Sequence, residues 1–332
     1  MLPSTSQITF QKFKMPHFSV IMPLYNKAPY VRKAVESVVE QTFPGWELVV
    51  VDDCSTDGSV AVVEQITDPR IKIVRSEKNS GVSAARNRGV SESTAPWICF
   101  LDADDWWEPY FLEEMAGLIE RHPNAGIYGT SYYIVKNGRK RVAPIGVDKG
   151  FTEGEINYCQ VYAKTLCMPL WTGAVCIPRS VFKEQGGFPV GIKLGEDFLL
   201  WIHVALKHKV ILLNKTLSNY NQDVDVTFRG THHLHAPDHN MLWNLNDLES
   251  LEQTNADYKQ LIDNLRTYSL MNYLLDNHYW NVARTELAKV DWRRQPKRVV
   301  QLYQLPVWVL RIRFLVFKMG SSMKKCLKKA IC

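Results

Sequence analysis

Four short apolar runs in the first hundred residues, each leaving into polar residues and then a helix-forming stretch, restrict this chain to one broad architecture. Residues 17–23 (His-Phe-Ser-Val-Ile-Met-Pro), 46–51, 71–75 and 97–101 are too short for helices and rich in β-branched and aromatic side chains, so they read as buried strands. Between them lie helical stretches: from Pro29 to about Gln41 (broken by Pro44 and Gly45), from about Gly58 to Thr67, and over 81–91. Strand and helix alternating through short connections require right-handed βαβ units and a mostly parallel sheet. Ligands of such sheets gather at the carboxyl ends of the strands. Those ends carry Tyr25 and Asn26, then Asp52 and Asp53, then Asp102 and Asp104.

The last of these exits is the most unusual. Residues 98–107 read Ile-Cys-Phe-Leu-Asp-Ala-Asp-Asp-Trp-Trp, with Asp102, Asp104 and Asp105 inside four positions. Like charges this close repel and are costly to desolvate, and a hard cation such as Mg²⁺ or Mn²⁺ relieves both problems. In an extended segment residues 102 and 104 point to the same side. The plain alternative is a solvated acidic turn before a helix near Pro109. No G-x-G-x-x-G follows the first strand, which argues against a dehydrogenase.

Beyond residue 125 the alternation loosens. Residues 125–135 and 141–145 flank an Asn137-Gly138 turn and read as a hairpin. A helix is expected over 151–166, strands over 171–177 and 210–213, and a helix over 196–207 opened by Glu196 and Asp197. From about His239 to Gln304 the pattern is helical. The expected organisation is a lead-in (1–16), a catalytic domain (17–238, divided near 124), a helical appendage (239–304) and a tail (305–332).

Charge is unevenly spread. From Asp291 onward eleven Lys/Arg face one acid, a balance of +10 against the whole chain's +6, which leaves −4 for the rest. Residues 305–319 are apolar but broken by Arg311, Arg313 and Lys318, and four lysines follow. Such a basic amphipathic tail suits an anionic membrane face, or a helix packed on the body. The charge is terminal and no nucleic-acid module accompanies it, so nucleic acid is not an expected partner. Seven scattered cysteines form no C-x-x-C pair, and no run of 18 uncharged apolar residues occurs. A cytoplasmic protein is expected, without a signal peptide or spanning helix, at most peripheral on the inner face of the plasma membrane.

Five motifs in fixed order carry a family resemblance. They are residues 23–26 (Pro-Leu-Tyr-Asn), 51–57 (Val-Asp-Asp-Cys-Ser-Thr-Asp), 81–87 (Gly-Val-Ser-Ala-Ala-Arg-Asn), 100–105 (Phe-Leu-Asp-Ala-Asp-Asp) and 195–197 (Gly-Glu-Asp). Together, over about 17–225, they resemble glycosyltransferase family 2, the inverting nucleotide-sugar enzymes of GT-A fold. The resemblance implies an α/β fold with a Rossmann-like sheet. It implies that Pro23, Tyr25 and Asn26 shape the base and ribose pocket, and that Asp53 reads the imide edge of uracil. Arg86 would reach the base or phosphates, and Asp102 the ribose. Asp104 would hold Mg²⁺ or Mn²⁺ on the diphosphate, with Asp105 supporting it. His233 or His235 is a candidate further metal ligand, the alternative being a polar loop. Asp197 would be the general base, with Glu196 the neighbour to be confused with it. Residues 171–173 (Trp-Thr-Gly) would form part of the sugar or acceptor pocket, unless Trp171 simply packs, and Trp106 and Trp107 would stack on a sugar face or just close the sheet edge.

Two positions depart from the family pattern: Cys54 stands where glycine is usual, and His203 where an arginine often lies. The expected activity is sugar transfer from a UDP-sugar to a hydroxyl of a glycan or lipid-linked saccharide. The alternatives are a nucleotide-sugar-binding scaffold without turnover, or a nucleotidyltransferase.

Overall fold

The structure, a computed structural model, describes residues 17–225, 234–310 and Ile312. The chain begins β1 (Phe18–Leu24), α1 (Val31–Val39), β2 (Trp46–Asp52), α2 (Ser59–Glu64), β3 (Ile71–Arg75), α3 (Val82–Ser91) and β4 (Trp97–Phe100). It continues through β5 (Trp106–Trp107), α4 (Phe111–Arg121), β6 (Ile127–Lys136), β7 (Arg139–Val142), β8 (Glu153–Ile156) and α5 (Tyr158–Thr165). Then come β9 (Val175–Pro178), α6 (Arg179–Glu184), α7 (Glu196–Lys207) and β10 (Val210–Asn221). The ten strands of the described residues join one sheet, whose main path is β3-β2-β1-β4-β9-β6-β10-β5. The β1–β2, β2–β3 and β1–β4 pairs are parallel, as the βαβ alternation requires, while β9 runs antiparallel between β4 and β6.

Side chains of the central strands alternate between two cores. Val20, Met22, Cys99 and Leu101 pack with Val31, Ala34, Val35 and Val38 of α1 and with Phe111, Leu112 and Met115 of α4. Those α1 positions fall at i, i+3, i+4 and i+7, the stripe that makes a helix face a sheet. On the other face Phe100 meets Phe188, Phe182 and Trp201 at centroid distances of 5.1, 5.8 and 6.3 Å. There α3 lies so close to β1 that a Cβ at Gly89 would run into Ile21. Both packings hold the carboxyl ends of β1, β2 and β4 level, and so position the acids that leave them.

Three local expectations need correction. Residues 151–166 are not one helix: β8 comes first, and α5 starts only where Asn157 caps it by accepting from the Gln160 N–H. Residues 172–174 form a 3-10 turn ahead of β9, closed by the Ala174 N–H on the Trp171 carbonyl. β10 runs eight residues past the apolar stretch 210–213, through polar positions where its pairing with β6 shifts register. Trp106 and Trp107, in keeping with one of their two expected roles, close the sheet edge as a short strand on β10.

Contacts divide the chain into two compact units, Met1–Asn244 and Leu245–Cys332. The second is helical: α8 (Leu251–Thr254), α9 (Ala256–Leu275), α10 (Trp280–Ala288) and α11 (Lys297–Tyr303). No helix among the described residues is long and apolar enough to cross a membrane. Most of the basic tail, residues 311 and 313–332, lies outside the described residues.

Candidate active site

The loop after β1 is pinned to the loop after β2 by four hydrogen bonds. The Asn26 N–H donates to Ser55 Oγ (3.1 Å), Lys27 N–H to Ser59 Oγ (2.8 Å), Ala28 N–H to Asp57 Oδ2 (2.9 Å), and Thr56 N–H to Asn26 Oδ1 (2.8 Å). Asn26 (φ 51°) and Cys54 (φ 64°) both adopt the left-handed backbone conformation that favours glycine. That explains why glycine suits position 54 better than cysteine.

A cleft of about 820 Å³ opens at the carboxyl ends of β1, β2 and β4. Pro23, Tyr25, Asp53, Arg86, Asp102 and Asp104 all reach its wall, as do Lys27, Ser83, Glu196 and His235. Asp53 is 3% exposed, and its carboxylate accepts the backbone N–H groups of Ser80 and Gly81 at 2.8–3.1 Å. It therefore ties the end of β2 to the start of α3 while facing the cleft. The first N–H groups of α3 have no intrahelical acceptor, which makes that end electropositive. Ser83 and Arg86, one turn apart, are each 3% exposed, yet Ser83 Oγ and Arg86 Nε are buried without a hydrogen-bond partner among the described residues. An orphaned buried donor costs about 1–3 kcal/mol, so two of them on a cleft wall call for a ligand that supplies acceptors.

The rest of the Arg86 guanidinium joins two distant segments. Nη2 donates to Asp102 Oδ1 at 2.8 Å and Nη1 to Glu196 Oε1 at 3.0 Å. Burial, and then the adjacent Asp197 carboxylate, push Glu196 up to about 7 against the pull of Arg86. Asp197 is half-buried at the start of α7, and takes its bonds from neutral donors, the Thr172 hydroxyl (3.0 Å) and the Phe198 N–H (2.8 Å). Burial raises its pKa as well, with Arg86 the largest opposing influence. The left-handed Gly195 (φ 84°) aims these acids, and a Cβ there would collide with Met241.

Asp104 Oδ2 is held by Lys27 Nζ at 2.5 Å, with both side chains largely covered. Burial raises the Asp104 pKa, and Lys27 opposes the rise. Among the described residues no group of three or more His, Cys, Asp or Glu side chains is placed to hold a metal. This donor set fits a hard cation shared between one carboxylate and a phosphate-bearing substrate, the usual mode of Mg²⁺, and not an all-protein cage. His235 stands on the cleft wall, and His233 lies outside the described residues.

Of the residues singled out in the sequence, Pro23, Tyr25, Asp53, Arg86, Asp102 and Asp104 share the cleft. Asn26 and Asp197 do not join them: the Asn26 side chain locks the neighbouring loop, and at the start of α7 it is Glu196 that lines the cleft. Asp105 is also turned away, accepting from the Asn221 N–H (2.8 Å) and Trp171 Nε1 (3.2 Å). Burial, then Asp104 and Asp102, hold its pKa well above the usual carboxylate range. Trp107 is core, stacked on Phe111 at 4.1 Å, and Lys33 Nζ sits over the Trp106 ring at 3.0 Å. Trp171 packs on Tyr220 and Tyr132. Sequence reasoning passed over Lys27 and Ser83, and placed Thr172 in a sugar or acceptor pocket without its bond to Asp197. Only the position of Lys27, three residues past a strand end, hinted at a role.

A sequence profile described as "Glycosyl transferase family 2" matches residues 19–180. The chain is 43% identical over 101 residues to the putative teichuronic acid biosynthesis glycosyltransferase TuaG of Bacillus subtilis, covering 30% of this chain and 40% of that protein. To WfgD of Escherichia coli, named as a UDP-Glc:alpha-D-GlcNAc-diphosphoundecaprenol beta-1,3-glucosyltransferase, it is 36% identical over 199 residues, covering 59% and 72%. The chain spans only 30–55% of the length of several other curated relatives. In fold it is similar to Staphylococcus aureus TarS residues 1–349 in complex with UDP-GlcNAc, with a TM-score of 0.67 at 23% identity over 85% of this chain and 82% of that one. With the profile over residues 19–180 and a relative 36% identical matched over 72% of its length, the chain belongs to glycosyl transferase family 2.

Proposed function

We propose that the chain transfers a sugar, with inversion, from a UDP-sugar to a hydroxyl of a glycan or lipid-linked saccharide. The observation that carries this reading is the convergence of Asp53, Asp102, Asp104 and Arg86 on one cleft that α7 closes with Glu196. Uracil presents an N–H donor between two carbonyls. Asp53 offers the acceptor, and the start of α3 with Ser83 offers donors beside it. Cytosine carries an acceptor where uracil carries its N–H, and would meet the Asp53 carboxylate lone pair to lone pair. The named activity of WfgD, with its UDP-Glc donor and diphosphoundecaprenol-linked acceptor, supports the same substrate classes.

In this mechanism Asp197 takes the proton of the acceptor hydroxyl as its oxygen bonds to the anomeric carbon. The bond from that carbon to the diphosphate oxygen breaks on the opposite face. Asp197 suits the role because burial keeps its pKa raised despite the Thr172 and Phe198 hydrogen bonds, whereas an ion pair with Arg86 Nη1 ties down the Glu196 carboxylate. Arg86 fixes Asp102 and Glu196 on either side of the sugar position. Asp104, with the diphosphate, would hold Mg²⁺ or Mn²⁺, which when bound neutralises charge on the departing group. The basic segment 305–332 would keep the enzyme at an anionic membrane face where such acceptors reside.

Thermal unfolding in the presence of nucleoside diphosphates and Mn²⁺ tests the donor reading. UDP at about a hundred times its Kd should stabilise the fold by about 2.7 kcal/mol, and CDP and ADP should do little. A chain stabilised by none of them is not a nucleotide-sugar enzyme. Ser83→Ala gives a sharper check. With no partner to lose, it should leave the ligand-free melting temperature unchanged or slightly higher, yet weaken UDP binding by about two- to tenfold, the worth of one hydrogen bond.

A further inference from the structure

The Lys27–Asp104 ion pair puts an ammonium group where the proposed function needs a divalent cation. Lys27 Nζ lies 2.5 Å from Asp104 Oδ2, and both residues line the nucleotide cleft. The Lys27 backbone is fixed: its N–H is held by Ser59 Oγ, its carbonyl accepts the N–H groups of Tyr30 and Val31, and its two neighbours are tied to Ser55 and Asp57. Only the four-carbon side chain can swing. A dication arriving alone must break a largely covered ion pair and set its own charge beside the displaced ammonium. A dication arriving with a diphosphate brings the replacement anion.

We infer that Lys27 is a built-in counter-ion that holds Asp104 in the donor-free enzyme and passes to the donor's diphosphate when a divalent cation takes the carboxylate. The inference rests on the nucleotide-sugar reading of the cleft. Its consequence is that cation and donor bind with strong mutual coupling, so the empty enzyme does not collect metal. Lys27 is thus a positioning residue, acting through Asp104 and the diphosphate.

Mn²⁺ binding, read from loss of the free-ion electron paramagnetic resonance signal with and without UDP, tests this without turnover. Lys27→Met should bind Mn²⁺ alone about tenfold more tightly than wild type, and UDP should improve its Mn²⁺ affinity about tenfold less than it improves that of wild type. Lys27→Arg, which keeps the charge, should behave as wild type, and the double variant Lys27→Met/Asp104→Asn should lose the gain. Unchanged Mn²⁺ affinity in Lys27→Met while UDP still binds overturns the inference alone, as does a gain that survives in the double variant. Absence of UDP binding to both wild type and Lys27→Met overturns the donor reading and the inference together.

Discussion

Asp197→Asn should lower kcat about a thousandfold while leaving UDP binding within about twofold of wild type, because a general base contributes 10²–10⁴ to rate and little to donor affinity. The asparagine carbonyl can still accept from the Thr172 hydroxyl, so the start of α7 keeps its geometry and only the basicity goes. Glu196→Gln should behave differently. It weakens one anchor of Arg86 and removes one negative charge beside Asp197 but leaves the base, so the expected loss is nearer tenfold.

The two acids titrate as a pair, and the pH profile separates their roles. With Glu196 pushed up to about 7, wild-type kcat/KM should fall on the acid side as the pair takes up a proton near neutrality. Removing the neighbouring charge makes Asp197 easier to ionise, so in Glu196→Gln this acid limb should move to lower pH. Should Glu196→Gln abolish transfer while Asp197→Asn keeps most of it, the roles are reversed and the base is the acid that lines the cleft.

The half of this site built on β1, β2 and β4 was legible because its signals are local. Each strand is a short apolar run, and the strand end and the acid that leaves it are adjacent in sequence, so placing one places the other. The sheet order of the second half was not legible. β9 inserts between β4 and β6, and β10 extends through Asn214, Lys215 and Thr216, whose polarity hides a strand that its neighbours hold in register. The site residues that sequence reasoning missed or misplaced share one cause, which is that their partners are distant. Lys27 is identified by Asp104, 77 residues away, and Thr172 by Asp197, 25 away. Asn26 and Asp105 stand inside motifs yet face loop and sheet, because a motif fixes the backbone path and not the side of it on which each group finds its hydrogen bonds. Ser83 was silent for a different reason. An orphaned donor is visible only once everything that failed to satisfy it has been placed.

In the helical unit, Arg266→Met should cost about 3 kcal/mol or more, since breaking a buried ion pair from one side leaves uncompensated charge. Arg266 in α9 is fully buried. Its Nη1 and Nη2 both reach Glu252 at 2.7 Å, and Asp263 and Glu286 lie at 3.5 and 3.3 Å. Lys259 and Lys289 partly cover the same acids, at 2.5 Å from Asp263 and 2.8 Å from Glu286, which keeps the loss from being larger. For a unit of this size such a loss lowers the melting temperature by about 12 °C or more, and amide exchange across α9 and α10 should accelerate accordingly. Burial alone would raise the Glu252 pKa, but its interactions with Arg266 and Lys259 together outweigh that and leave it lowered. A carboxyl held below its ordinary value stabilises above the unfolded pKa, about 4.3, and stops doing so as pH falls through the folded value. The gap between wild type and Arg266→Met should therefore be widest at neutral pH and shrink below about pH 4. Adding Glu252→Met to Arg266→Met should recover part of the loss at neutral pH by removing the stranded charge. If it recovers none, lost packing of the guanidinium stem accounts for the damage instead of electrostatics.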